Sequence, residues 1–77
     1  MNNIQNFTAI IEKENDGFVA SCPELDIASQ GDTVEDAKSN LKEAIELFLE
    51  HASKEEIALR LKTDVFITNM QIAVGQA

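Results

Sequence analysis

The groups with chemistry to offer in this 77-residue chain are mostly carboxylates, 14 acidic side chains against 6 basic ones. Carboxylates do acid–base work or hold metal ions where two or more converge. Glu14 and Asp16 flank a turn at Asn15-Asp16-Gly17. Glu24 and Asp26 follow the only proline, and Glu43 and Glu46 fall on the outer side of a helical stretch. Little else is present to complete a reactive centre. His51 is the single histidine, so no histidine-based metal cluster can be built. It follows Glu50 at a helix end, where a partly positive imidazole suits the dipole. Cys22 is the single cysteine, which excludes an internal disulfide and a C-x-x-C site, and it reads as a small buried hydrophobe. Gly17, Gly31 and Gly75 are isolated, so no phosphate-binding loop is present. No serine has an arguable histidine and carboxylate beside it. Without Tyr or Trp there is no aromatic platform for stacking bases. The residues therefore point away from an enzyme, with no catalytic, cofactor-binding or metal-binding set.

The formal net charge is −8. Such a surface repels phosphates, which argues against direct contact with DNA or RNA and favours a basic protein partner. The plainer reading, that the acidity serves solubility, stays open beside it. Hydrophobic residues make up 44% of the chain, too many for a disordered one. Residues 1–77 form one domain. A chain of this length buries only about 60–65% of the surface its unfolded form exposes, so self-association would add needed stability. The lone cysteine fits a reduced, cytoplasmic protein. No basic segment with an apolar run opens the chain, and no apolar run reaches the roughly 20 residues of a membrane span.

The elements that must position these groups follow from periodicity. Val34, Ala37, Leu41, Ala44, Ile45, Phe48 and Leu49 recur at steps of three and four, which predicts an amphipathic helix over residues 33–50. Thr33 is its expected N-cap, with Asp36 three residues on. Before it, residues 7–14, 18–22 and 27–30 read as strands, the first two joined in a hairpin with Gly17 free to take positive φ. Pro23 ends the second strand. After the helix, Ser53 caps one or two further helical turns, with Ile57, Leu59 and Leu61 tacked onto the body. Residues 65–74 read as a long fourth strand, and residues 1–5 and 75–77 as ends.

Strand, strand, strand, helix, strand makes an α+β two-layer sandwich. A right-handed crossover would place the fourth strand beside the first, in sheet order 3-2-1-4. This is the opening of the ribonuclease H-like fold, whose enzymes hold metal with carboxylates on strands one and four and on the helix. Here Glu12 and Glu14 lie only near the end of strand one, strand four has no acid after Asp64, and the central position is apolar, so a two-metal site is not expected. The fourth strand has no charge from Val65 to Val74. Phe66, Met70, Ile72 and Val74 fill one parity; Val65, Ile67 and Ala73 lie on the other. A long uncharged edge strand needs cover. The expectation is a homo-oligomer, a dimer or a higher even-numbered assembly, with Phe66, Met70, Ile72 and Val74 at its interface.

Ile11-Glu12 before the turn, Asp16-Gly17-Phe18 in it, Cys22-Pro23-Glu24-Leu25 after strand two, and Ser29-Gln30-Gly31-Asp32-Thr33 before the helix carry a resemblance. With Glu35, Ala37, Leu41, Ala44 and Leu47 along the helix, their order and spacing resemble HicB-type antitoxins, the HicB-like or UPF0150 family, over nearly the whole chain. The resemblance implies a partial ribonuclease H-like fold without nuclease activity. It also implies an antitoxin that sequesters a small HicA-type toxin, an mRNA-cleaving ribonuclease, by covering its RNA-binding face. On that reading Glu14, Asp16, Glu24, Asp26, Glu43 and Glu46 are the candidate partner-binding residues. The chain departs from many members in having Leu25-Asp26-Ile27 where they carry a Pro-Gly-Cys loop. It also shows no C-terminal DNA-binding segment after strand four, which makes it resemble a short form. A stand-alone oligomeric HicB-like interaction protein with no toxin partner stays open as the alternative, and a degenerate hydrolase as a third reading.

Overall fold

Strand β1 (Ile10–Glu14) turns into β2 (Gly17–Cys22), which turns into β3 (Ile27–Gly31); helices α1 (Val34–His51) and α2 (Lys54–Leu61) follow. The computed structural model describes residues 4–62 and 64–75. Of the expected ends, residues 1–5 and 75–77, positions 1–3 and 76–77 lie outside the described residues. The strands form one antiparallel sheet of order β1-β2-β3, an α+β arrangement. No helix is long and apolar enough to cross a membrane among the described residues.

The register explains the core. Ile11 stands opposite Ala20, Ala20 opposite Ser29, and Cys22 opposite Ile27, so these side chains share one face. Helix α1 lies on that face and contributes Ala37, Leu41 and Ile45. With Ala20, Cys22 and Leu25 they make up the buried core, flanked by Phe7, Ile11, Phe18, Ile27, Phe48 and Leu49. The helix forms where the apolar stripe predicts it. The Thr33 hydroxyl accepts from the Asp36 amide at 3.0 Å, satisfying one of the amides a helix start leaves unpaired. Close approach of α1 to the sheet requires Gly31. A Cβ there would lie 2.5 Å from the Ala37 nitrogen and 2.7 Å from the Asp36 carbonyl carbon. Helix α2 starts the same way, with Ser53 accepting from the Glu56 amide at 3.0 Å. Ile57 is half-buried, whereas Leu59 points into water.

Three expectations need correction. The fourth strand, residues 65–74 in sheet order 3-2-1-4, is not part of this sheet, which leaves β1 as an open edge. Residues 64–75 form neither helix nor strand. The alternating pattern specifies which side chains share a face, but a strand exists only where a neighbour pairs with its backbone, and the pattern does not say which neighbour that is. Second, β1 begins at Ile10, not Phe7. Extending the register from Ile10 opposite Ser21 sets Thr8 opposite Pro23, which has no N–H to give. Third, positive φ in the hairpin falls on Asn15 (φ 54°), and Gly17 does not need it. Asparagine tolerates this region better than most residues.

Candidate functional site

The interrupted strand start is held by a side chain instead. Both Glu24 carboxylate oxygens accept from the Thr8 amide, at 3.1 and 3.2 Å. Oε2 also accepts from the Thr8 hydroxyl at 2.6 Å, and Oε1 accepts from the Cys22 thiol at 3.4 Å. The hydroxyl bond above all holds the Glu24 carboxyl below the ordinary glutamate range. Burial pushes the Cys22 thiol upward, and Glu24 beside it adds to this. Cys22 is thus a buried, protonated thiol, the opposite of what an attacking thiolate requires. Glu24, picked from the sequence as a partner-facing acid, has its carboxylate turned to the chain's own backbone.

The other candidate acids fall in separate places. Glu14 and Asp16 lie at the β1–β2 turn. There they line a shallow polar depression with Asp32 and Asp36 at the start of α1, and its lining holds no Lys or Arg. Asp32 and Asp36 are not among the partner-binding acids that the sequence suggests. The signal was present, since both flank the Thr33 cap, and β3 returns that cap to the turn end of the sheet. Asp26 sits at the opposite end, in the β2–β3 loop at φ 56°. The six residues of β2 separate the two ends by roughly 20 Å. Glu43 and Glu46 are exposed on α1, and Glu46 is 3.4 Å from Lys42, which offsets its charge. The six acids therefore do not form one patch; two of them join two others at the turn end.

His51 lies 3.7 Å from Glu50, and both are open to solvent. No group of three or more His, Cys, Asp or Glu side chains among the described residues is arranged to hold a metal ion. The second concavity is apolar. It is a groove of about 680 Å³ between residues 4–9, α1 and α2, with Phe7, Leu41, Ile45, Leu49, Ile57 and Leu61 among its walls. Near it in sequence but not on it, Phe66 is 89%, Met70 82%, Ile72 71% and Val74 90% exposed. These four are the expected oligomer-interface residues, and within one chain they touch water.

Helix α2 is tied down by Arg60, the only arginine. Its guanidinium donates to the Leu25 carbonyl, lies 4.8 Å above the Phe48 ring centre and sits 3.7 Å from Glu56. One side chain so joins α2 to α1 and to the β2–β3 loop.

Neither a family model nor a solved structure matches the chain. Curated relatives do. A UPF0150 protein of Synechocystis sp. is 42% identical over 73 residues, covering 92% of this chain and 91% of the relative. A UPF0150 protein of Helicobacter pylori is 41% identical over 66 residues, 84% of this chain and 92% of its own. A second Synechocystis UPF0150 protein is 53% identical over 45 residues, 56% of this chain and 62% of its own. Identity at this level over nearly the full length of the first two makes the chain a member of the UPF0150 family.

Proposed function

We propose that this protein is an antitoxin-like binding module that sequesters a small, basic HicA-type ribonuclease by covering its RNA-binding face, without catalysing a reaction itself. The observation that carries the reading is the depression whose charged residues are all acidic, Glu14, Asp16, Asp32 and Asp36, on a chain of net charge −8. A toxin that must approach RNA presents a basic face, and complementary charge speeds and orients such an encounter more than it adds raw affinity. The same charge disfavours direct contact with nucleic acid. On this reading the protein acts in the cytoplasm as a homo-oligomer with a partial ribonuclease H-like fold. The contact acids are then Glu14 and Asp16 with Asp32 and Asp36. Asp26, Glu43 and Glu46 are secondary, and Glu24 is internal.

The exposed apolar run at residues 65–74 favours a second reading, an oligomeric interaction protein with no toxin partner. Co-expression with the HicA-type toxin encoded nearest the gene separates the two. Growth should be rescued, and the pure proteins should associate more slowly as salt rises, because the screening length is only ~8 Å at physiological ionic strength. Reversing Asp16 and Asp32 to Lys should slow association at least tenfold. No binding and no rescue by the unaltered protein would leave the second reading. Binding and rescue with an unaffected double reversal would move the contact surface elsewhere.

A further inference from the structure

We infer that residues 65–74 of one copy add to the open edge of β1 in a second copy, so that two chains complete each other's sheets by reciprocal exchange of a strand. Three observations carry this. The edge of β1 that faces away from β2 has no strand neighbour among the described residues. Such an edge is a template for pairing. The approach to β1, residues 4–9, forms one wall of the apolar groove, whose other walls include Leu41, Ile45 and Ile57. A strand laid along β1 and continued beside residues 4–9 would set alternate side chains over that groove. Residues 65–74 are built for such a seat. One parity reads Phe66, Thr68, Met70, Ile72, Val74, apolar at four of five positions, whereas the other sets Asn69 and Gln71 between Val65, Ile67 and Ala73 and is the more polar of the two.

The molecule also argues that the occupant is another copy. In the single chain these residues do not take the seat. All of residues 66–75 are exposed, and the long axis extends 54 Å against 28 and 20 Å for the others. The radius of gyration is 15.4 Å, whereas a packed chain of this length has about 11.5 Å. An uncharged, apolar segment is also a poor match for the basic face of a toxin. An arm and an empty seat on the same chain satisfy each other under twofold symmetry, and the arrangement closes at two copies with the β1 edge covered in each. The inference deepens the self-association in the proposed reading and is independent of any toxin.

The test uses the full-length protein. Equal amounts of isotopically labelled and unlabelled chains are unfolded, refolded together and examined for isotope-filtered nuclear Overhauser effects. Light scattering should give twice the 8.5 kDa protomer mass. Cross-copy effects are expected between residues 65–74 and residues 7–14. Met70→Lys should halve the mass while circular dichroism keeps the strand and helix signals. If that variant unfolds, the effects in the unaltered protein still decide. A dimer whose effects between these segments run only within one copy overturns the exchange and leaves self-association standing. A monomer at tens of micromolar overturns both, as does an arm that becomes protected only when a toxin is added.

Discussion

Replacing Glu24 with Ala removes the group that stands in for a missing backbone partner. In the native protein its carboxylate accepts from the Thr8 amide, the Thr8 hydroxyl and the Cys22 thiol. A hydrogen bond to a charged group contributes about 1.5–3 kcal/mol when protected from water. Thr8 and Glu24 are both half-buried, so water takes over part of each bond. A total loss of about 1–2 kcal/mol is expected. A 77-residue domain has roughly 4–12 kcal/mol of stability in all, so the loss is readily measured. The pH dependence provides the sharper test. The Glu24 carboxyl is held below the ordinary glutamate range, which is near 4.3. Its contribution is therefore complete above that range and is lost as pH falls through the lower, folded-state value. Urea unfolding followed by circular dichroism at pH 7, 5 and 3 should show the gap between native and Glu24→Ala proteins at pH 7 and 5. The gap should shrink at pH 3. Glu24→Gln, which keeps an acceptor but no charge, should fall between them. A gap that is absent at pH 7, or equally wide at pH 3, would refute the role assigned to the carboxylate.

Two further outcomes follow from the packing. Leu41→Ala should cost about 2–5 kcal/mol, because Leu41 is 2% exposed at the centre of the core; a melting temperature within a degree or two of the native one would contradict that placement. Gly31→Ala should cost about 1–3 kcal/mol through overpacking, because the new Cβ meets the backbone of Asp36 and Ala37 rather than a yielding side chain; an unchanged urea midpoint would show that α1 can move aside.

The sequence reveals a good part of this. The stripe from Val34 to Leu49 and the Thr33 cap place α1 within one residue at each end, and Ser53 announces α2. The hairpin is legible from Asn15-Asp16-Gly17 between two apolar runs. Less legible is whatever depends on contacts between distant residues. Leu25 reads as a connection residue, yet it is fully buried. Glu24 looks like any surface acid, because nothing local says that Thr8, sixteen residues earlier, lacks a strand partner. The grouping of Glu14 and Asp16 with Asp32 and Asp36 needs the return of β3 to the turn, which composition does not encode. In residues 65–74 the alternation is plain, but hydrophobic pattern is blind to which molecule offers the neighbouring edge.

The tie made by Arg60 has a consequence for assembly. Residues 64–75 begin three positions beyond the end of α2, so whatever holds α2 also sets the point from which they extend. An arm rooted at a fixed place samples a small volume, and the local concentration it presents to a facing seat is correspondingly high. Arg60 fastens that root at Phe48 and the Leu25 carbonyl, neither of which lines the apolar groove. In the exchanged dimer inferred above, freeing it would loosen the root of the arm together with the Ile57 and Leu61 walls of the seat. In that dimer the affinity between copies would be governed partly by a residue that is not in the lining of the seat.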